Sequence, residues 1–164
     1  MERRNRLSRI AQRLEFLPER LRRLAVTQVV RKTVPFTETA CLVVEELTES
    51  RVTVFVENRR RVRNHIGGLH AAAMTLAAET CSGFVVGMNV PDSRMLLMKS
   101  LQVEFRRRCR GGLRAVATLT AEQLESIRML EKGEVDVAVT ATDASGAEPI
   151  RCRMLWAWVP RKRD

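Results

Sequence analysis

The sequence predicts an α+β fold in which an antiparallel sheet of about five to six strands wraps around one long central helix. Three observations lead to this prediction. Residues 71–90 are almost all small or apolar, and a segment that is apolar on every side is typical of a buried helix. Segments of alternating apolar and polar residues, typical of strands with one buried face, lie before and after this run. A single helix between runs of strands favours the α+β class.

The N-terminal residues 4–31 are predicted to be helical and basic. Apolar residues at spacings of three and four form one stripe along this region: Leu7, Ile10, Leu14, Leu17, Leu21 and Leu24. Pro18 is expected to split the region into two helices near Phe16. The stripe either packs on the domain, with arginines in solvent, or serves a helix that binds a membrane surface or RNA. We expect packing, with residues 1–33 as a basic helical extension and residues 34–160 as the main domain.

The remaining elements follow in chain order. Segments 40–46 and 52–57 are predicted to be a hairpin that turns at Glu49-Ser50, and residues 59–63 a basic loop. The central helix is predicted over about 68–89 and ends before Pro91. Strands are predicted over 95–106, 113–122, 135–142 and 150–159. Segment 123–132 either extends a strand or forms a short helix. Trp156 and Trp158 share one strand face and are expected to pack against the helical region or a partner.

The chain of 164 residues carries a net charge of +10, mostly from arginine. Nucleic acid, an anionic membrane surface or a phosphorylated cofactor are candidate partners for such a charge, and a solvated arginine-rich surface is the alternative. The basic runs 59–63 and 106–110 contain no aromatic residue, which argues against binding of single-stranded nucleic acid. We therefore expect neither nucleic acid nor a membrane as partner.

The cysteine spacing and the apolar segments indicate in which cellular compartment the protein is expected. The four scattered cysteines form no CxxC pair, which argues against a zinc knuckle or a thioredoxin-type motif. We therefore expect reduced cysteine thiols and a cytoplasmic location. The N-terminal residues are charged throughout and lack the apolar core of a secretory signal. Glu79 and two glycines within residues 71–90 argue against a membrane span.

The side chains best suited to catalysis or ligand binding lie at and just before the central helix. The only two histidines, His65 and His70, and the Gly67-Gly68 step precede the helix, and Glu79 is the carboxylate within it. A carboxylate in a buried helix is costly unless it is paired, hydrogen-bonded or protonated. Glu79 is therefore either a catalytic group or the partner of an Arg or His from a neighbouring subunit.

Other residues near this helix also leave two interpretations open. His70 either serves a site or is a hydrogen-bonded core histidine, and Asn64 either serves a site or caps a turn. His65 is expected to be structural. A helix that is apolar on all faces needs cover on two sides. Because the sheet covers one side, we expect a second subunit to cover the other.

Residues 64–79, NHIGGLHAAAMTLAAE, resemble the signature of the PaaI-like acyl-CoA thioesterases, which have the hotdog fold. In that family an Asn opens the loop, a His-Gly-Gly step begins the helix, and an acid follows nine residues after the His. Asn64, His70 and Glu79 match these positions, while Ala71 and Ala72 stand where the family has glycines. The segment around Pro35-Phe36, the RNHIG loop and the strand with Lys99 are similar to the DUF4442 or YiiD C-terminal-like branch. The resemblance extends from about residue 30 onward.

The resemblance implies hydrolysis of an acyl-CoA thioester. It implies Glu79 as base or nucleophile, the Ala71 N–H as donor to the oxyanion, and His70 or Asn64 as groups that hold the carbonyl or the water. Further residues are implied to line the substrate or to lie near the nucleotide end of coenzyme A: Gly68, Ala72, Arg106, Arg108 and Arg110. The arginines are otherwise a solvated charge run.

The resemblance also implies an assembly and leaves rival functions open. It implies a homodimer or a dimer of dimers with sites at the subunit interface, no metal, and no cofactor other than the coenzyme A thioester that serves as substrate. A non-catalytic acyl-CoA or lipid binder on the same fold is one alternative, and a basic nucleic-acid-binding protein is another. The His-Glu arrangement that hydratases of this fold use is not evident in the sequence.

Overall fold

The structure is a computed structural model that describes residues 5–161 and packs a six-stranded antiparallel sheet on one long helix. The helices of the described chain are α1 (Arg6–Leu14), α2 (Glu19–Thr33), α3 (Pro35–Thr39), α4 (Ala71–Gly87) and α5 (Ala121–Met129), with a 3₁₀ turn at Arg60–Val62. The strands are β1 (Val43–Leu47), β2 (Arg51–Val56), β3 (Arg94–Phe105), β4 (Leu113–Thr118), β5 (Gly133–Asp143) and β6 (Ile150–Pro160). The predicted α+β class is confirmed.

The sheet has the strand order β1-β2-β4-β5-β6-β3, and every neighbouring pair is antiparallel. β5 pairs with two neighbours through different halves. Residues 138–143 pair with β4, whereas residues 133–137 pair with β6. Because the two halves of one strand serve different neighbours, the sheet curves, and α4 lies on the curved surface.

The core lies between α4 and one face of the sheet. Alternate residues of β2 are fully buried, as are the alternate residues Leu113, Ala115 and Ala117 of β4. On the helix, Ala77, Ala78 and Cys81 are also fully buried. Small side chains at these helix positions let the sheet approach closely, and each fully buried valine of β2 contributes about 1.5–3 kcal/mol. The alternation seen in the sequence therefore corresponds to the buried face of the sheet.

The N-terminal helices divide at Pro18, as predicted. Asn5 caps α1 by accepting from the Ser8 N–H at 2.8 Å, and its amide donates to the Gly87 and Val90 carbonyls at 2.6 Å. Leu7 and Leu14 pack against the core, so the expected packing of the apolar stripe on the domain holds for α1.

The second half of the predicted leucine stripe does not pack on the domain. Leu21 and Leu24 of α2 are 53% and 63% exposed. The break at Pro18 reorients the chain, and α2 faces the sheet with Val26, Thr27 and Val30 instead. Thr27 fixes this orientation by accepting a hydrogen bond from the Val44 N–H of β1 at 3.0 Å. The expectation that the whole stripe packs is therefore wrong for α2.

Several element boundaries differ from the sequence-based expectation for local reasons. β1 begins at Val43 because α3 and the turn at Cys41, whose φ is +55°, occupy the preceding residues. β4 ends at Thr118 because Thr120 caps α5 in a capping box with Gln123. The short-helix alternative for residues 123–132 therefore holds.

The central helix is shorter than the apolar run that predicted it. α4 begins at Ala71, because Gly67 turns the chain at a φ of +74° and His70 caps the helix. At 17 residues α4 falls short of the length needed to cross a bilayer, and no other helix within residues 5–161 is long and apolar enough to do so.

Two glycines of α4 provide a matched test of how closely the helix lies against the sheet. A Cβ added at Gly83 would lie 2.8 Å from the Trp156 ring, whereas one added at Gly87 would meet its nearest atom, on Leu96, at 3.7 Å. We expect Gly83→Ala to lower the melting temperature, because overpacking costs about 1–3 kcal/mol and exceeds the gain of up to ~1 kcal/mol in helix propensity.

Gly87→Ala serves as the control in the same thermal unfolding experiment. It gains helix propensity without a clash, so we expect an unchanged or higher melting temperature. Equal melting temperatures for the two variants would show that Trp156 does not pack against the helix at Gly83.

Candidate active site

The loop before α4 is organised by Asn64. Its side-chain oxygen accepts hydrogen bonds from the N–H groups of Ile66 at 3.1 Å and Gly68 at 3.0 Å. The main chain closes the same turn, because the Asn64 N–H donates to the Gly68 carbonyl at 2.9 Å. Asn64 therefore holds the loop in shape, which is the turn-capping alternative that the sequence left open.

His70 is the N-cap residue of α4. Its Nδ1 accepts a hydrogen bond from the Ala72 N–H at 3.0 Å, while the rest of the ring is exposed. The next residue, Ala71, is the first of the helix, and its N–H has no hydrogen-bond partner within residues 5–161. An unpaired N–H at the positive end of a helix dipole is suited to binding negative charge.

Glu79 lies at the middle of α4 on the face that the sheet does not cover. The side chain is half-buried, and burial raises its pKa above the ordinary value of 4.5. Its only side-chain hydrogen bond within the described chain comes from the Thr80 hydroxyl at 3.4 Å, and it forms no ion pair there. Within one chain, the carboxylate is therefore partly desolvated and has no compensating cation.

The uncovered face of α4 forms a stripe around Glu79. Ala72, Thr75 and Leu76 lie one to two turns before it and are partly or fully exposed. One turn after it, the stripe ends against the Trp156 ring, which contacts the helix at Gly83 and donates to the Ser82 hydroxyl at 3.0 Å. The exposed face is thus a short surface that begins at the helix N-terminus and ends at Trp156.

The two groups expected to act on one thioester are far apart within a chain. Ala71 and Glu79 are eight residues apart on α4, which corresponds to about 12 Å along the helix axis. The oxyanion donor must lie within hydrogen-bond reach of the reacting carbonyl, and the activating group must reach that carbonyl or the attacking water. Within one chain, the backbones of the two residues are about two helical turns apart.

The sheet edge formed by β3 carries uncovered apolar side chains. β3 pairs only with β6 within residues 5–161, so its other edge is free. Leu101 and Phe105 pair across the sheet with the buried residues Met154 and Ile150, which places them on the helix-facing side. They nevertheless remain 39% and 51% exposed. A long edge strand with exposed apolar residues is a site where another strand can pair.

Basic residues line a cleft beside the loop of Asn64. The cleft has a volume of about 610 Å³ and is lined by Asn58, Gly67, Gly68, Arg107, Arg108, Cys109, Arg110 and Gly111. Arg108 donates to the Ile66 carbonyl at 2.7 Å and so joins the basic run to the loop. The guanidinium groups of Arg107 and Arg110 have no partner within the described chain.

The structure brings together part of the predicted set of site residues. Gly68, Arg108 and Arg110 share the cleft, whereas Arg106 lies outside it and pairs with Glu104 at 3.1 Å. Arg107 lines the cleft but was not singled out from the sequence, although it belongs to the same basic run. Within residues 5–161 no group of three or more His, Cys, Asp or Glu side chains is placed to hold a metal ion.

Comparison with known proteins identifies the family. The model of a domain family of unknown function, DUF4442, matches residues 22–159. No curated protein matches the chain.

Solved structures share the fold at low sequence identity. A Pseudomonas aeruginosa protein of unknown function, described as a probable thioesterase, is 23% identical with a TM-score of 0.74, over 88% of this chain and 97% of its own. A Haemophilus influenzae thioesterase is 11% identical with a TM-score of 0.65, over 84% and 90% of the two chains. A Staphylococcus aureus thioesterase is 14% identical with a TM-score of 0.64, over 77% and 100%. These similarities confirm the predicted hotdog fold.

The raised pKa of Glu79 predicts how stability depends on pH. The folded protein binds the Glu79 proton more tightly than the unfolded chain, so the free energy of unfolding falls as pH rises from about 4.5 through the folded pKa. We expect Glu79→Gln to remove this loss. In urea unfolding across a pH series, its stability relative to wild type should therefore increase with pH over that window.

Glu45→Gln is the matched control, because the pKa of Glu45 is shifted the other way. A hydrogen bond from Arg114 lowers it, so Glu45 stabilises the folded protein above its ordinary pKa. This control should lose stability at neutral pH. A Glu79→Gln variant that loses stability at neutral pH as well would mean that the Glu79 carboxylate has a cation partner in the assembled protein.

Proposed function

The chain belongs to the DUF4442 family. We propose that it hydrolyses an acyl-CoA thioester with Glu79 as the activating group. The observation that carries this proposal is a half-buried carboxylate with a raised pKa on the one uncovered face of the central helix. A raised pKa makes a carboxylate a stronger base and so favours a role in proton transfer. The thioesterases among the structures with this fold support the same reaction class.

The proposed reaction has two steps. Glu79 takes a proton from a water molecule as the water oxygen attacks the thioester carbonyl, and the carbonyl π electrons move to its oxygen. The oxyanion then re-forms the C=O bond, the C–S bond breaks, and the thiolate of coenzyme A takes the proton from Glu79. The products are a carboxylic acid and the free thiol. In the alternative form, Glu79 itself attacks, and water hydrolyses the resulting anhydride.

The proposed oxyanion donor is the Ala71 N–H of a second copy of the chain. The separation of about 12 Å between the backbones of Ala71 and Glu79 along one helix supports this assignment. A two-fold symmetric dimer supplies two equivalent sites, each with Glu79 from one copy and Ala71 from the other. The free edge of β3, with Leu101 and Phe105 exposed, is the proposed surface where the copies pair.

The basic cleft is proposed to hold the phosphates of coenzyme A. Arg107 and Arg110 present guanidinium groups without partners in the described chain, and Arg108 joins the cleft to the loop that precedes Ala71. Guanidinium groups bind phosphate through paired, charge-assisted hydrogen bonds. The cleft therefore lies where a nucleotide end could be held beside the helix N-terminus. Arg106, which pairs with Glu104 outside the cleft, is left out of this assignment.

Glu79→Gln tests the proposed base. We expect the release of thiol from a panel of acyl-CoAs, followed with a thiol reagent, to fall by about 10²–10⁴-fold, because the amide cannot take the proton. Wild-type activity should also be lost as pH falls through the raised pKa of Glu79, since only the carboxylate acts as a base.

Glu125→Gln is the control, because Glu125 is an exposed residue of α5, away from the central helix, and its loss should leave the rate unchanged. Equal turnover by wild type and Glu79→Gln would exclude Glu79 as the activating group. Tight binding of acyl-CoA by wild type without any thiol release would identify a non-catalytic acyl-CoA binder.

Subunit complementation tests the shared site. Ala71→Pro removes the N–H, and proline is tolerated because Ala71 is the first helical residue and the ψ of His70 is 143°. We expect this variant alone to lose about 10²–10³ in rate. Mixed dimers with Glu79→Gln should regain about a quarter of wild-type activity, because half of the dimers contain one intact site.

Ala71→Gly is the control, since it keeps the N–H and should keep most of the activity. If both groups acted within one chain, every site of a mixed dimer would carry one defect. An absence of rescue in mixtures that form mixed dimers would therefore rule out the shared site.

A further inference from the structure

The N-terminal helices expose large apolar side chains that the proposed function does not use. We call Phe16, Leu21 and Leu24 the N-terminal patch. Phe16, between α1 and α2, is 81% exposed, and Leu21 and Leu24 are each more than half exposed. Leu21 and Leu24 lie on the same side of α2, opposite the buried residues that face the sheet. The patch is therefore an exposed apolar surface on the N-terminal helices, made of other residues than the face of α4 that holds Glu79.

The surroundings of the patch are strongly basic. Residues 5–33 contain eight basic and two acidic side chains, a net charge of +6 against +10 for the whole chain. Arg13 is an exposed residue in the last turn of α1. Arg20 is an exposed residue of α2, one turn before Leu24. Neither guanidinium has a hydrogen-bond or ion-pair partner within residues 5–161. Apolar side chains and unpaired cations thus occupy the same part of the surface.

We propose that the N-terminal patch and its flanking arginines dock the protein on an anionic lipid bilayer. Leucine and phenylalanine side chains insert at the boundary between headgroups and acyl chains, while arginine side chains attract the anionic headgroups. No helix of the described residues is long enough to span a bilayer, so the protein lies on the surface. This docking surface is separate from the Glu79 face and does not depend on the proposed hydrolysis.

Charge complementarity favours a lipid surface over the other possible occupants. A second copy packed on the same patch by a two-fold axis would bring two segments of charge +6 together, and like charges oppose such a contact. A nucleic acid would match the charge but would leave the two exposed leucines against a phosphate backbone. An anionic bilayer satisfies both the cations and the apolar side chains.

The sequence limits of the family place the patch in a part of the chain that the common domain does not fully include. The DUF4442 model begins at residue 22, so Phe16 and Leu21 precede it. α1, which presents Arg13, also lies before that point. Leu24 and most of α2 lie within the family model, so the proposed docking surface spans its N-terminal limit.

Vesicle co-sedimentation tests the proposal with the full chain. We expect binding to vesicles that contain phosphatidylglycerol, and none to vesicles of phosphatidylcholine alone. Leu21→Gln/Leu24→Gln should weaken this binding by roughly tenfold or more, since two apolar side chains no longer insert. Arg13→Gln/Arg20→Gln should weaken it at low salt, and at about 1 M salt, where charges are screened beyond roughly 3 Å, the two arginines should cease to matter.

Met129→Gln/Leu130→Gln is the matched control. These side chains are 72% and 52% exposed at the end of α5, so the variant removes similar apolar area elsewhere and should bind as wild type does. Each variant should keep the wild-type melting temperature, because the altered side chains are exposed.

Three results would overturn the proposal. The first is wild-type protein that does not bind phosphatidylglycerol vesicles. The second is Leu21→Gln/Leu24→Gln protein that binds them as wild type does. The third is a loss of oligomer mass in that variant without vesicles, measured by light scattering, which would identify the patch as a contact between copies of the chain.

Discussion

The close packing of α4 against the curved sheet is the constraint on which the rest of the structure depends. Small residues such as Ala77, Ala78 and Cys81 let the strands approach the helix, and Trp156 reaches the helix surface at Gly83. A helix held this way has one face left uncovered, and that face carries Glu79. Packing of the other faces offsets the cost of partly desolvating this carboxylate.

In the proposed mechanism, the same helix supplies only one of the two catalytic groups to each site. Its first N–H is free to bind negative charge, and its central carboxylate has a raised pKa, but about 12 Å of helix separates them. The proposed mechanism therefore uses a second copy to supply the oxyanion donor. The free edge of β3 and the uncovered face of α4 are the surfaces proposed to meet that copy.

Exposed arginines are concentrated in two regions that differ in their neighbouring side chains. Near the start of α4, arginines line a concave cleft and are joined to the Asn64 loop, a setting suited to a small phosphorylated group. On α1 and α2, arginines flank exposed leucine and phenylalanine side chains. The net charge of the chain alone does not distinguish these regions, because what differs is the apolar content of their surroundings.

The sequence by itself determined the central helix, an α+β architecture of five to six strands and the spacing of Asn64, His70 and Glu79, because periodicity and turn residues act locally. The tertiary structure decided the rest. It turned Asn64 and His70 into groups that shape the loop and cap the helix, and selected Arg107 rather than Arg106 for the cleft. It also exposed Leu21 and Leu24, because the break at Pro18 sets which side of α2 meets the sheet. A helical stripe shows which residues share a face, whereas only packing decides what that face meets.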